Sequence, residues 1–334
     1  MNSECEEVVR LLEVLTQKTV ECKQAFNCIC IGNSLNGLQG MSSENKAVID
    51  LVRALVFKVA KSPEELTSVT VGSALMGVRR MTAVTTEVRT LLAILALKIN
   101  DSKVLLDPVS FSMAFNGLRS MDETTIEMKA LLGTLADKTN SMREEVLTPN
   151  ILSNALSGLK MLTGESAETR QVVAAILNKM GAPSDGETSS GTRSFKHPCI
   201  GQFDSLDIGR ALYGLQNMSP DSCPELRPLL ERLASSIRTS KGPLLAWDAG
   251  LALYGLKSHK EESPATDQII SAITLRLSLS GDVMSAKTLS MAMMGLQGMS
   301  SESSAVRDLL AVLTNRMGVF DSQVRQPHAQ TYSI

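Results

Sequence analysis

Residues 71–81 read VGSALMGVRRM, and the phrase returns as IGNSLNGLQGM from Ile31, FSMAFNGLRSM from Phe111, LSNALSGLKML from Leu152, IGRALYGLQNM from Ile208, AGLALYGLKSH from Ala249 and LSMAMMGLQGM from Leu289. The central glycines, Gly37, Gly77, Gly117, Gly158, Gly214, Gly255 and Gly295, lie 40, 40, 41, 56, 41 and 40 residues apart. A fixed period near 40 residues marks a repeat architecture, in which each unit buries its apolar face by stacking on its neighbours. Function is then expected on a repeated surface rather than in one pocket.

In the second unit Val71, Leu75, Val78 and Met81 follow the spacing of one helical face, so the phrase predicts a first helix, A. Asp107-Pro108 and Thr148-Pro149 give its start, an N-cap followed by proline at the first helical position. Gly40, Asn217 and Gly298 suggest left-handed C-caps. After a short Ser-rich turn, Val88, Leu91, Leu92, Leu95 and Ile99 again share one face and predict a second helix, B, whose start Ser263-Pro264 marks in the sixth unit. Pro224 and Pro228 imply a late or kinked helix B in the fifth. The fold class is therefore all-α, an α-solenoid of about seven helix-turn-helix repeats.

Val9–Lys18 matches helix B without a helix A before it, so the array opens on an N-terminal half repeat. The expected organisation is the half repeat and repeats 1–4 over 1–180, a Ser/Gly/Pro-rich linker over 181–204, repeats 5–7 over 205–318 and a polar tail over 319–334. Ends without polar caps suggest either a fragment of a longer array or apolar end faces that bind something, another copy of the chain included.

Gly32-x4-Gly37 matches the opening of a phosphate-binding loop, but Leu38 stands where lysine is required. The central glycines, with a small residue three positions earlier, predict close approach of neighbouring helices. On that reading leucine at Gly117 overpacks the contact, whereas alanine is mild if space allows.

Apolar residues make up 43% of the 334-residue chain and aromatics 3%, so the core must be built from Leu, Ile, Val, Ala and Met. A net charge of -2 gives no global attraction to nucleic acid or anionic membrane, but leaves a local basic face open. No apolar run reaches the length of a membrane span, and the acidic start MNSECEEVVR does not resemble a targeting segment. Cys5, Cys22, Cys28, Cys30, Cys199 and Cys223 form no C-x-x-C pair and read as reduced thiols, in cytoplasm or an organelle interior. His197 and Cys199 are too weak a pair to imply a metal, and no cofactor is implied. With three scattered histidines and no convergent acid, base or nucleophile, the sequence suggests no enzyme.

Opposite the core, helix A presents the positions four before, one before and two after each central glycine. Unit by unit these are Asn33, Asn36, Gln39; Ser73, Met76, Arg79; Met113, Asn116, Arg119; Asn154, Ser157, Lys160; Arg210, Tyr213, Gln216; Leu251, Tyr254, Lys257; and Met291, Met294, Gln297. The last of each triplet is a hydrogen-bond donor while the first two vary, the form a modular reader would take. Trp247, four residues before Leu251, extends the stripe and makes the fifth and sixth units the expected hot spot. Helix B carries two basic columns. Arg10, Arg89, Lys129, Arg170, Arg227 and Arg307 lie early in their helices, and all but Arg10 are candidate phosphate contacts. Lys18, Lys58, Lys98, Lys138, Lys179, Arg276 and Arg316 lie in last turns, where a cation complements the helix dipole.

SNALSGL, GRALYGL and GLALYGL resemble the helix A signature of octotricopeptide-like repeats of organelle RNA metabolism, over most of residues 28–317. The chain departs from that family where Asn36, Met76, Asn116, Ser157, Tyr213, Tyr254 and Met294 replace its usual tryptophan, and in lacking its proline-rich motif. The resemblance implies a binding solenoid with RNA as a candidate ligand. Two readings stand: a scaffold binding an extended protein partner, favoured by the near-neutral charge, and a single-stranded RNA binder, supported by the resemblance, the donor column and the early basic column.

Overall fold

The computed structural model describes residues 5–143, 147–180, 201–259 and 263–317. Among these residues the chain forms helices α1 (Glu6–Glu21), α2 (Cys28–Asn36), α3 (Lys46–Lys61), α4 (Ser68–Gly77), α5 (Thr86–Asp101), α6 (Pro108–Asn116), α7 (Ile126–Ser141), α8 (Pro149–Ser157), α9 (Ala167–Lys179), α10 (Ser205–Tyr213), α11 (Leu226–Thr239), α12 (Ala246–Tyr254), α13 (Pro264–Ser278), α14 (Ala286–Gly295) and α15 (Ser304–Arg316), and no strand. Even-numbered helices are the A helices and odd-numbered ones the B helices, with α1 the unpaired half repeat. Each A helix packs on the next A helix and each B helix on the next B helix, so the chain is a two-layered α-solenoid. The α9–α11 contact is slight, where the repeat period lengthens and α11 starts three residues late, as Pro224 and Pro228 suggested.

The core lies between the layers. In the second unit every residue assigned to it by periodicity, from Val71 to Met81 on α4 and its turn and from Val88 to Ile99 on α5, is fully buried. Local starts are fixed by side-chain caps: Asp107 accepts from the Ser110 amide, Thr148 from Ile151 and Ser263 from Thr266. Residues 201–204 lead into α10, with Phe203 buried and Asp204 as its N-cap; residues 181–200, with His197 and Cys199, lie outside the described residues, as does the 319–334 tail. No described helix is long and apolar enough to cross a membrane.

The central glycines sit at the ends of the A helices rather than inside them, and a tight turn carries the chain on to the following residues. Of the C-caps suggested by sequence, Gly298 has positive φ, but Gly40 and Asn217 do not. From the second unit onward each central glycine lies against the preceding A helix. A Cβ placed on Gly77, Gly117, Gly158, Gly214, Gly255 or Gly295 would fall 1.9–2.2 Å from the carbonyl oxygen of Leu35, Leu75, Phe115, Leu156, Leu212 or Leu253. The close approach expected from the sequence is therefore present, but there is no space for even a methyl group, because the obstacle is backbone.

The late basic column on the B helices joins repeats. Lys98 donates to the carbonyl of Ser62 (2.7 Å), Lys138 to Ser102 (2.6 Å), Lys179 to Met142 (2.7 Å) and Arg316 to Ser278 (3.0 Å); Lys58 reaches Cys22 and Arg276 reaches Ser240 in the same way. Each cation thus satisfies a carbonyl at the C-terminus of the preceding B helix, complementing the neighbour's dipole as well as its own. Among the described residues Lys18 has no preceding B helix to reach, and it pairs with Glu21. Replacing Lys138 with Met keeps the aliphatic stem and removes the bond, and should cost about 1–2 kcal/mol in urea denaturation, whereas Lys18→Met should cost nothing measurable.

Candidate binding surface

Because the A helices are parallel and in register, residues at equal distance from the central glycine form columns running the length of the array. Close A–A packing crowds these columns, and this changes the exposure expected from helical periodicity. Asn33, Gln39, Met294 and Gln297 at the two ends are exposed, while Asn36, Arg79, Arg119, Asn154, Lys160, Arg210, Tyr213, Tyr254, Lys257 and Met291 are half-buried. Asn116, Gln216 and Leu251 are buried, contrary to the exposed positions assigned to them, because the neighbouring A helices are drawn together at the glycine contacts. The Oδ1 atoms of Asn36 and Asn116 are shielded and have no partner among the described residues.

Arg79, Arg119, Lys160 and Lys257 make no ion pair with a carboxylate among the described residues. Burial lowers the pKa of Arg79, Arg119 and Lys160, and neighbouring cations lower it further: Arg210 and Arg80 act on Arg79, Arg79 and Arg210 on Arg119, and Arg119 and Lys257 on Lys160. On this inner, A-helix side of the stack, Arg210 in the fifth repeat is among the cations that act on Arg79 in the second. None of the columns at four before, one before and two after the glycine contains Asp or Glu. Arg210 does have acidic neighbours, Asp207 and Asp248, and it donates to Asn154 Oδ1 at 3.4 Å.

Aromatic rings sit among these charges in the fifth and sixth repeats. Tyr213 and Tyr254 lie with centroids 6.0 Å apart, Lys160 stands over Tyr213 at 5.6 Å, and Lys257 over Tyr254 at 4.8 Å. Trp247 is exposed near the start of α12, with Lys287 of the next repeat 5.0 Å from its ring centroid.

The candidate phosphate contacts Arg89, Lys129, Arg170, Arg227 and Arg307 belong to the B layer, across the core from these columns, and the structure does not bring the two sets together. Several are engaged locally: Arg89 with Thr86, Arg170 with the Glu165 carbonyl, Arg227 with Asp221 at 3.6 Å, and Arg307 with the carbonyls of Ser301 and Glu302. These contacts explain cations near helix N-termini, where the dipole disfavours them. Cys5, Cys22, Cys28, Cys30 and Cys223 are free thiols.

No family model matches the chain, and no curated protein or solved structure matches it. The functional reading therefore stands on the geometry of the inner surface.

Sequence reasoning missed one column. Eight residues before the central glycine, on the stripe that continues through the four-before and one-before positions, stand Ile29, Val69, Val109, Asn150, Leu206, Trp247 and Lys287. Five of the seven are large and apolar, and their exposure runs from 37% at Trp247 to 67% at Val69. Extending the stripe one turn toward the helix N-terminus in every repeat, as was done only for Trp247, is the signal that finds them.

Proposed function

We propose that the protein is a non-enzymatic binding solenoid that holds an extended single-stranded RNA along the surface of its A helices. The observation that carries this reading is the row formed by Arg79, Arg119, Lys160 and Lys257, cations that repel one another and lack carboxylate partners among the described residues. Phosphates spaced along a strand would relieve that repulsion, and Tyr213 and Tyr254 beside it offer stacking faces to bases. The near-neutral net charge that favoured a protein partner is an average over the whole chain and does not describe this face.

A labelled 20-nucleotide RNA of mixed sequence, titrated by fluorescence anisotropy at increasing salt, tests the proposal. Four phosphate contacts should give a slope of log affinity against log salt of about −3. Salt-independent binding, or equal competition by an oligoglutamate of the same charge, would instead support a protein scaffold with an acidic extended partner.

A further inference from the structure

We propose that the inner surface fixes how the strand lies across it, with phosphates toward the C-terminal ends of the A helices and bases toward their N-terminal ends, at about one nucleotide per repeat. This rests on the RNA reading above.

Two parallel rows run along the A layer. Two residues past the glycine, the row is polar throughout and cationic at Arg79, Arg119, Lys160 and Lys257. Eight residues before it, the row is apolar at Ile29, Val69, Val109, Leu206 and Trp247 and lies open to solvent. The rows are ten residues apart, eight steps along the A helix and two in the tight turn after it, which separates them by roughly 15 Å, spanned in part by the long arms of Arg and Lys. A lone exposed valine is ordinary, but an apolar residue at the same register in five of seven units, in a run of three and a run of two separated by Asn150, costs solubility. Beside a cationic row, the complementary partner is anionic along one edge and apolar along the other. Single-stranded RNA has that section, with phosphates on one side and unstacked bases on the other. Helical-repeat readers place one base on each repeat, which matches one apolar residue and one donor per unit here. Between the rows, the half-buried rings of Tyr213 and Tyr254 would then stack on bases that reach across from the apolar row.

The sole tryptophan lies on the apolar row, so the protein carries its own reporter. The full chain is titrated with the mixed-sequence 20-nucleotide RNA and with an abasic ribose-phosphate oligomer of equal length. The RNA should quench Trp247 fluorescence and the abasic oligomer should bind without quenching. A Val69→Ser, Val109→Ser double variant, altered at exposed positions and checked by circular dichroism, should bind RNA about tenfold more weakly, keep the salt slope, and bind the abasic oligomer like the parent. Salt-dependent RNA binding that leaves Trp247 unquenched, or that the double variant does not weaken, would overturn the orientation while leaving the RNA reading in place. A reduced salt slope in the double variant would also overturn it, since phosphates would then lie on the wrong row. Absence of RNA binding at low salt would remove both.

Discussion

Alanine at Gly117 should destabilise the array by roughly 3 kcal/mol or more, while alanine at Gly37 should be neutral or stabilising by about 0.4–1 kcal/mol. The two glycines occupy the same place in the repeat and have ordinary helical φ values of −64° and −58°, so backbone strain does not distinguish them. Their surroundings do. A Cβ on Gly117 would lie 2.0 Å from the Leu75 carbonyl oxygen, which cannot withdraw without moving α4. Among the described residues no A helix packs against Gly37, and a Cβ there would meet only the carbonyls of Asn33 and Ser34 in its own turn at 3.5 Å. Alanine at Gly37 would also lower the entropy of the unfolded chain. Urea denaturation followed by circular dichroism should separate the two variants clearly. Equal midpoints would show that the A layer is not held together by backbone contact.

His259 supplies the second large effect. It occupies the position filled by Met41, Met81, Met121, Leu162, Met218 and Met299 in the other units, and it is 1% exposed with neither ring nitrogen bonded among the described residues. Burial pushes its pKa down from 6.5 to about 4. Between those values the unfolded chain takes up a proton that the folded chain does not, so stability falls as pH drops from about 6.5 toward 4 and flattens below. The full loss is about 3 kcal/mol. His259→Met should remove that part of the pH dependence and, by eliminating two unpaired buried nitrogens, raise stability at pH 7 by about 1–3 kcal/mol. A histidine variant and a methionine variant with parallel stability curves from pH 7 to 4 would mean that the imidazole is hydrated or bonded in solution.

The repeat was legible because a handful of small and apolar positions recur with one period, and that period determines both helices, their caps and the core. The spacing between neighbouring A helices was not legible. Periodicity on a single helix assigns Asn116, Gln216 and Leu251 to the solvent side, but whether a side chain there is open depends on how close the next helix comes, which the glycine-to-carbonyl contact decides. The reach of Lys98 or Lys138 to a neighbouring helix end also lay beyond a reading made one helix at a time. The cations of the A-layer row could be seen in the sequence, but their lack of carboxylate partners among the described residues required the packed array, as did the difference between the A-layer cations and the locally bonded B-layer ones.

The most direct test of the inner surface as the binding face compares two double variants with the same charge change in the same two repeats, Arg79→Gln with Arg119→Gln on the A layer and Arg89→Gln with Lys129→Gln on the B layer. Measured on the 20-nucleotide RNA, the A-layer pair should flatten the salt slope by about 1.4 and weaken low-salt binding at least about tenfold, and the B-layer pair should leave both within about twofold of the parent. Loss of affinity in the B-layer pair with an unchanged A-layer pair would contradict the account.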